Sequence, residues 1–312
     1  MGLQVVSIIC DWGAGQPGGS AGVEGWYALG LHYKHLAWIE AEHIVLYPSE
    51  RKPVWIETGR HVYARRLDPW MAFAEEIKPV LRSLPIEGRV LFLTGDHSWA
   101  GCILPELHER VGRIGVVWID AHADLHNPAT SPSGNIHGMP LAMVTGLNTE
   151  RFHPVPAFTW SQWESLIRPV IQAEDLVYVG LRSYEPPEME IITQAQIPHF
   201  TSTDIIQNGI SSALQTIRGL AERTDAIYVS FDVDVWDPSF ARGTGSTAPG
   251  GLSIAQVRAL LNELFAIEKV RFLEVTEINP LLDRDNQTAL FAYGSIRPFI
   301  DGEVENTRAA LE

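Results

Sequence analysis

A chain of 312 residues, 46% hydrophobic and 20% charged, has the balance of a globular protein able to bury a sizeable core. Its formal net charge of −15 excludes a phosphate-tracking surface, so nucleic acid is not an expected partner; an acidic surface suits solubility and a small cationic ligand. The two cysteines, Cys10 and Cys102, form no CxxC, and no basic leader or membrane-length apolar run is visible. The expectation is a cytoplasmic protein with buried free thiols and no membrane partner.

Along the chain, β-rich runs alternate with helical segments. Residues 3–10 read as a strand that ends in a glycine-rich loop, 13–19, followed by a helix through 24–31. The loop contains Gly13-x-Gly15-x-x-Gly18, formally a dinucleotide fingerprint. Pro17 within it, and Gly22 and Gly25 beyond, favour an ordinary strand-to-helix loop, with a dinucleotide-binding module as the competing non-enzyme reading. Residues 43–47 are a second strand, and 51–66 a charged connection with a hairpin. Asp68 as N-cap and Pro69 at the first helical position start a helix to residue 84.

The apolar run 89–94 predicts a buried strand, with a helix to residue 111 after it. Another buried strand, 114–119, leads into Asp120, His122 and Asp124. Pro128, Pro132 and Gly134 then impose a long polar loop over 126–138, before a short helix at 139–145. Helices over 161–172 and 188–194 flank a strand at 175–181, and 198–200 is a short strand. Thr203 or Asp204 caps a helix towards residue 222. Residues 226–234 form the next strand, and a glycine-rich loop covers 243–251. Ser253 caps a helix to residue 267; a strand at 270–275 and a helix over 286–300 close the chain. This alternation predicts an α/β fold with a mostly parallel sheet covered on both faces, as one domain spanning residues 1–312.

In such sheets the working loops lie beyond the carboxyl ends of the strands. Asp120, His122 and Asp124 stand at i, i+2 and i+4 and would project from one side if the chain stayed extended. Asp232 and Asp234 repeat the spacing at the end of another strand, and His97 follows a third. Each has a plain alternative: His97 as a capping or core-edge histidine, Asp120 as a turn residue, Asp232 and Asp234 as loop openers. Together they put four carboxylates and two imidazoles at three strand ends. Such crowding is prohibitive without cations. Oxygen and imidazole donors without thiolate suit Mn, Zn, Fe or Mg. Two divalent ions, roughly 3.5–4 Å apart, would bring the pKa of a shared water towards neutrality.

Gly95-Asp-His-Ser98, Asp120-Ala-His-Ala-Asp124, Ser133-Gly-Asn-Ile-His-Gly138 and Ser230-Phe-Asp-Val-Asp-Val-Trp-Asp-Pro238 resemble, in order, the signatures of the arginase (ureohydrolase) family. Gly15-Gln-Pro-Gly-Gly19 and Glu277-Ile-Asn-Pro280 extend the resemblance over nearly the whole chain. It implies a three-layer αβα sandwich and two Mn(II) ions that activate water against a guanidinium carbon, so that L-arginine gives L-ornithine and urea. By position, His97, Asp120, Asp124 and Asp232 would hold one ion. His122, Asp120, Asp232 and Asp234, with Asp124 nearby, would hold the other. Asp124 would also orient the attacking hydroxide, His137 would shuttle the proton, and Glu277 would receive the guanidinium.

Ser131, Ser133 and Asn135 match the loop that holds the α-carboxylate of arginine, which favours arginine over agmatine. Elsewhere the sequence departs from the family pattern. His126 stands in place of an asparagine that contacts the carboxylate, and Glu185 in place of an aspartate near the α-amino group. Arg182-Ser183 is more like agmatinases, and Val235-Trp236 replaces a smaller pair. A bulkier lining and an added imidazole would suit N-hydroxyarginine, agmatine or a guanidino acid as alternative substrates. The resemblance also implies a homo-oligomer, a trimer or hexamer.

Overall fold

Runs of Val, Ile, Leu and aromatic residues become eight strands: β1 (Leu3–Ile8), β2 (Glu42–Leu46), β3 (Arg89–Thr94), β4 (Ile114–Ile119), β5 (Leu176–Leu181), β6 (His199–Thr201), β7 (Ala226–Asp232) and β8 (Val270–Thr276). The computed structural model describes residues 2–33, 35–49 and 62–302. The expected hairpin within 51–66 falls largely outside these. The strands form one sheet in the order β2-β1-β3-β8-β7-β4-β5-β6, and every adjacent pair is parallel.

Because side chains alternate along a strand, each strand feeds two cores. Val5, Leu91, Leu93, Val117, Val229 and Leu273 belong to one, which meets α1 (Gly19–His32), α9 (Ser211–Arg223), α10 (Ile254–Phe265) and α11 (Gln287–Asp301). Val6, Val90, Phe92, Val116, Trp118 and Phe272 belong to the other, under α3 (Leu67–Ser83), α4 (Ala100–Val111) and α5 (Pro140–Thr145). The result is a three-layer αβα sandwich. Seven tryptophans, Trp26, Trp38, Trp70, Trp99, Trp118, Trp163 and Trp236, are fully buried in it. Cys10 and Cys102 are buried free thiols. No helix among the described residues is long and apolar enough to cross a membrane.

Several helix ends differ from expectation. α3 begins at Leu67, capped by Arg66 with φ 59°, so Asp68 lies inside the first turn and accepts a hydrogen bond from Gln162 Nε2 at 2.7 Å. Four-residue α2 (Leu36–Ile39) has no counterpart in the sequence pattern. α6 (Ala157–Leu166) starts and stops early, since Pro169 disfavours helical backbone at the residue before it. After α7 (Pro186–Gln194), the single helix expected over 203–222 is two. Thr201, not Thr203, caps α8 (Ser202–Asn208), and Asp204 returns the other half of the capping box. Gly209, at φ 75°, ends that helix before α9 begins.

Candidate metal centre

Strands β3, β8, β7, β4 and β5 lie side by side, and their C-terminal ends supply the site. After β3, Asp96 caps the turn His97–Trp99 by accepting from Ser98 N at 2.9 Å, which turns the His97 ring towards the sheet edge. The ring stacks on Trp118, 4.0 Å between centroids and 3° from parallel. β4 ends at Ile119, so Asp120, His122 and Asp124 do not share one face of a continuing strand. Their convergence depends on Asp124 adopting φ 49°, and His122 bridges to Ser183 beside it. β7 likewise ends at Asp232, whose Oδ1 accepts from Asp234 N at 2.8 Å and opens a short turn that brings Asp234 back.

These three segments meet. His97 Nδ1 lies 3.0, 3.0 and 3.2 Å from Oδ2 of Asp120, Asp124 and Asp232. His122 Nδ1 lies 2.9 Å from Asp234 Oδ2 and 3.5 Å from Asp120 Oδ1. Asp120 therefore faces one imidazole with each oxygen. Among the described residues none of the four carboxylates pairs with lysine or arginine. Arg182, close by, spends its donors on the carbonyls of Gly180, Asp234, Val235, Trp236 and Ala248, tying two loops together.

Charge repulsion is visible in the titration of the group. Burial and the charge of Asp120 raise Asp124 to about 7. Burial raises Asp232 well above the usual carboxylate range, with Asp234 and Asp120 adding to it. Asp234 moves the same way through burial and Asp120. Burial also opposes ionisation of Asp120, but the imidazoles of His122 and His97 beside it outweigh that and hold the group low. His97 Nδ1 and Asp120 Oδ2 are buried without a hydrogen-bond partner. Something positive belongs between these atoms. The donor set divides into two groups, one of His97, Asp120 and Asp232, the other of Asp120, His122 and Asp234, each compact enough to share an ion. Carboxylate oxygens and imidazole nitrogens fit divalent cations of the Mn or Zn type.

Beside this cluster His137 Nδ1 is 2.9 Å from Glu277 Oε1, which also accepts from His97 N at 2.9 Å. Burial works against the His137 imidazolium, but the adjacent Glu277 charge outweighs it and raises His137 to about 9. Glu277 is held at φ 64°, so it and Asp124 are both non-glycine residues in left-handed backbone. Such backbone costs of order 1–3 kcal/mol and persists where packing over-determines it, commonly at working sites.

A cavity of about 90 Å³ joins these groups, walled by His97, His122, Asp124, His137, Asp232 and Glu277, and at its mouth by His126, Ser183, Glu185, Glu188 and Ser246. His126 Nε2 reaches Glu185 Oε2 at 2.8 Å and Glu188 Oε2 at 3.3 Å. Ser131, Ser133 and Asn135 are not on its wall. Ser131 and Ser133 instead accept from the amides of Gly134 and Asn135, at 2.9 and 3.2 Å. Val235 and Trp236 are core residues, so the bulkier lining expected of them is not found. Glu188 and Ser246 were not singled out from sequence, and Ser183 only as a departure from the arginase pattern. Ser183 follows the end of β5, where a loop residue could have been suspected, and Glu188 lies in the first turn of α7, while Ser246 sits in a glycine-rich loop without any periodic signal.

The glycine-rich loop after β1 offers no phosphate cradle. Gly13 N donates to Asp96 Oδ2, and Gly18 N and Ser20 N donate to Asp11 Oδ2, so the chain's own carboxylates occupy the amides a pyrophosphate would need. A larger cleft of about 680 Å³ opens at the opposite end of the sheet, by Glu87, Arg89, Asp225 and Lys269, and holds no metal-competent cluster among the described residues.

A parallel three-layer sandwich with carboxylates and imidazoles gathered at its C-terminal edge defines an α/β protein with a site that could hold metal ions. Residues 17–300 match the family model described as the arginase family. The arginase of Brevibacillus brevis is 35% identical over 238 residues, 76% of either chain. A crystal structure of Entamoeba histolytica arginase in complex with L-ornithine superposes with a TM-score of 0.81 at 26% identity, covering 94% of this chain and 97% of that one. The native Bacillus caldovelox arginase superposes at 0.77 with 29% identity, covering 95% and 96%. The chain belongs to the arginase family and is a hydrolase.

Proposed function

We propose that this protein hydrolyses L-arginine to L-ornithine and urea with two manganese ions. One would be held by His97, Asp120, Asp124 and Asp232, the other by Asp120, His122, Asp232 and Asp234. The observation that carries the reading is the division of Asp120 between the two imidazoles, within one small cavity that also holds His137 and Glu277. Two dications there would supply a water acidic enough to act as nucleophile near neutral pH and a positive field opposite developing charge.

The side chains account for the rest of the chemistry. Both hydrogen bonds to Glu277 fall on Oε1, which leaves Oε2 to receive a guanidinium N–H. Asp124 would accept a hydrogen bond from the attacking water and so orient it. His137, its Nδ1 turned to Glu277, presents Nε2 to deliver a proton to the departing amine. Glu185 and His126 receive the α-amino and carboxylate end at the mouth, with Ser131, Ser133 and Asn135 as the outer carboxylate loop. The small volume and acidic wall suit a cation and exclude larger ligands. A second reading, a guanidino amine such as agmatine, has one observation in its favour: the carboxylate loop is off the cavity wall. We read residues 1–312 as one cytoplasmic domain that assembles into a trimer or hexamer.

Urea release from L-arginine, agmatine, N-hydroxyarginine and guanidinobutyrate, assayed side by side with Mn(II), tests this. L-Arginine should turn over fastest, and Asp120→Asn should lose more than about 100-fold, beyond what an outer-sphere partner contributes. Undiminished turnover in Asp120→Asn would refute the proposal.

A further inference from the structure

Beneath the cluster lies a carboxylate that the chemistry above does not use. Glu274, in the middle of β8, is completely buried and has no lysine or arginine partner among the described residues. It accepts three hydroxyl hydrogen bonds, each 2.8 Å long, from Thr94 Oγ1 on β3 and from Tyr228 OH and Ser230 Oγ on β7. Burial raises its pKa above the usual carboxylate value, and His97 and these three donors only partly offset that. Ser230 Oγ also lies 2.6 Å from His97 Nε2.

A hydroxyl has one proton to give. Since that of Ser230 goes to Glu274, its oxygen can only accept from His97, so Nε2 carries the hydrogen. Nδ1 is then the nitrogen left to face Asp120, Asp124 and Asp232, and its lone pair is the one a bound ion would take in place of a proton. The line Glu274–Ser230–His97 thus selects the ring nitrogen that meets the cluster and fixes the ring's rotation against Trp118. Among the described residues His122 has no such line beneath it; its Nδ1 meets Asp234 and Asp120 directly.

We propose that Glu274 is a positioning residue for the ion on the His97 side: acting through Ser230, it tightens that site and leaves the His122 side alone. This rests on the two-ion reading, which the same experiment tests separately. Mn(II) titration of the purified full chain, followed by calorimetry and by electron paramagnetic resonance, should show two ions bound to the unaltered protein. Glu274→Gln and Ser230→Ala should each weaken one of the two ions by about 10–100-fold and leave the other within about twofold. The double variant should be no weaker than the weaker single one, because both act along one line. Glu274→Asp, which restores a carboxylate, should recover part of the loss. Unchanged affinity for both ions in the two single variants, or additive losses in the double variant, overturns the inference. Fewer than two ions on the unaltered protein overturns the two-ion reading and the inference with it. Should Glu274→Gln not fold, Ser230→Ala decides the question alone by the same criterion.

Discussion

At His126 a neighbouring carboxylate decides what the ring can do. Thr130 Oγ1 accepts from Asn127 N at 3.0 Å and from Asn148 Nδ2 at 3.2 Å, which fills its lone pairs. Its one proton has two acceptors in reach, Asn127 O at 3.3 Å and His126 Nδ1 at 3.1 Å. Glu185 Oε2, 2.8 Å from Nε2, is a carboxylate oxygen that can only accept, so a His126 proton sits on Nε2. Burial also lowers the pKa, and Glu185 only partly opposes it. His126 is thus a neutral N–H donor, the role an amide could fill. His126→Asn should keep KM for L-arginine within about threefold, whereas His126→Leu should raise it at least about tenfold with kcat little changed, since a hydrogen bond to a charged group is worth about 1.5–3 kcal/mol. Steady-state kinetics check this; an unaltered KM in the leucine variant would remove His126 from substrate binding.

Among the secondary elements, α10 shows how a local signal becomes structure. Ser253 Oγ accepts from Gln256 N, and Gln256 Oε1 accepts from Ser253 N at 2.9 Å, a closed capping box. Ser253→Ala should cost about 1 kcal/mol, read as a lower denaturant midpoint at unchanged slope. This start was legible in the sequence because cap and return residue lie three apart. The β3 and β4 boundaries were legible as well, since an apolar run flanked by polar residues leaves little choice. The α3 start was not. Arg66 adopts its left-handed backbone while its guanidinium reaches the carbonyl of Trp12, over 50 positions away in the chain, and no local propensity reports that. Asp124 and Glu277 were legible as chemistry, but their positive φ was not, because neither residue type announces that backbone. The wall of the cavity was the least legible part: Ser131 and Ser133 carry the expected hydroxyls, yet the path of their loop turns them to its own amides.

At the scale of the whole molecule, strand order makes the site. Alternation along the chain forecasts a parallel sheet, but not that β8, the last strand, inserts between β3 and β7. That insertion brings Glu277 beside His97 and Asp232, and leaves the acidic groups of distant segments facing one another. Metal and proton consequently compete for the same atoms. Without a metal, Asp124 titrates at about 7, Asp232 and Asp234 are raised, and His97 and His122 are held protonated by the carboxylates around them despite burial. Lowering the pH keeps protons on the ligands and must weaken binding; raising it removes them and strengthens binding. Equilibrium dialysis against Mn(II) at pH 6 and pH 8.5, with urea release measured on the same samples, is the most direct test. Two ions per chain at the higher pH, affinity at least about tenfold weaker at the lower, and activity that follows occupancy are expected. One ion or none at pH 8.5, or occupancy indifferent to pH, would contradict a two-metal centre built from these side chains.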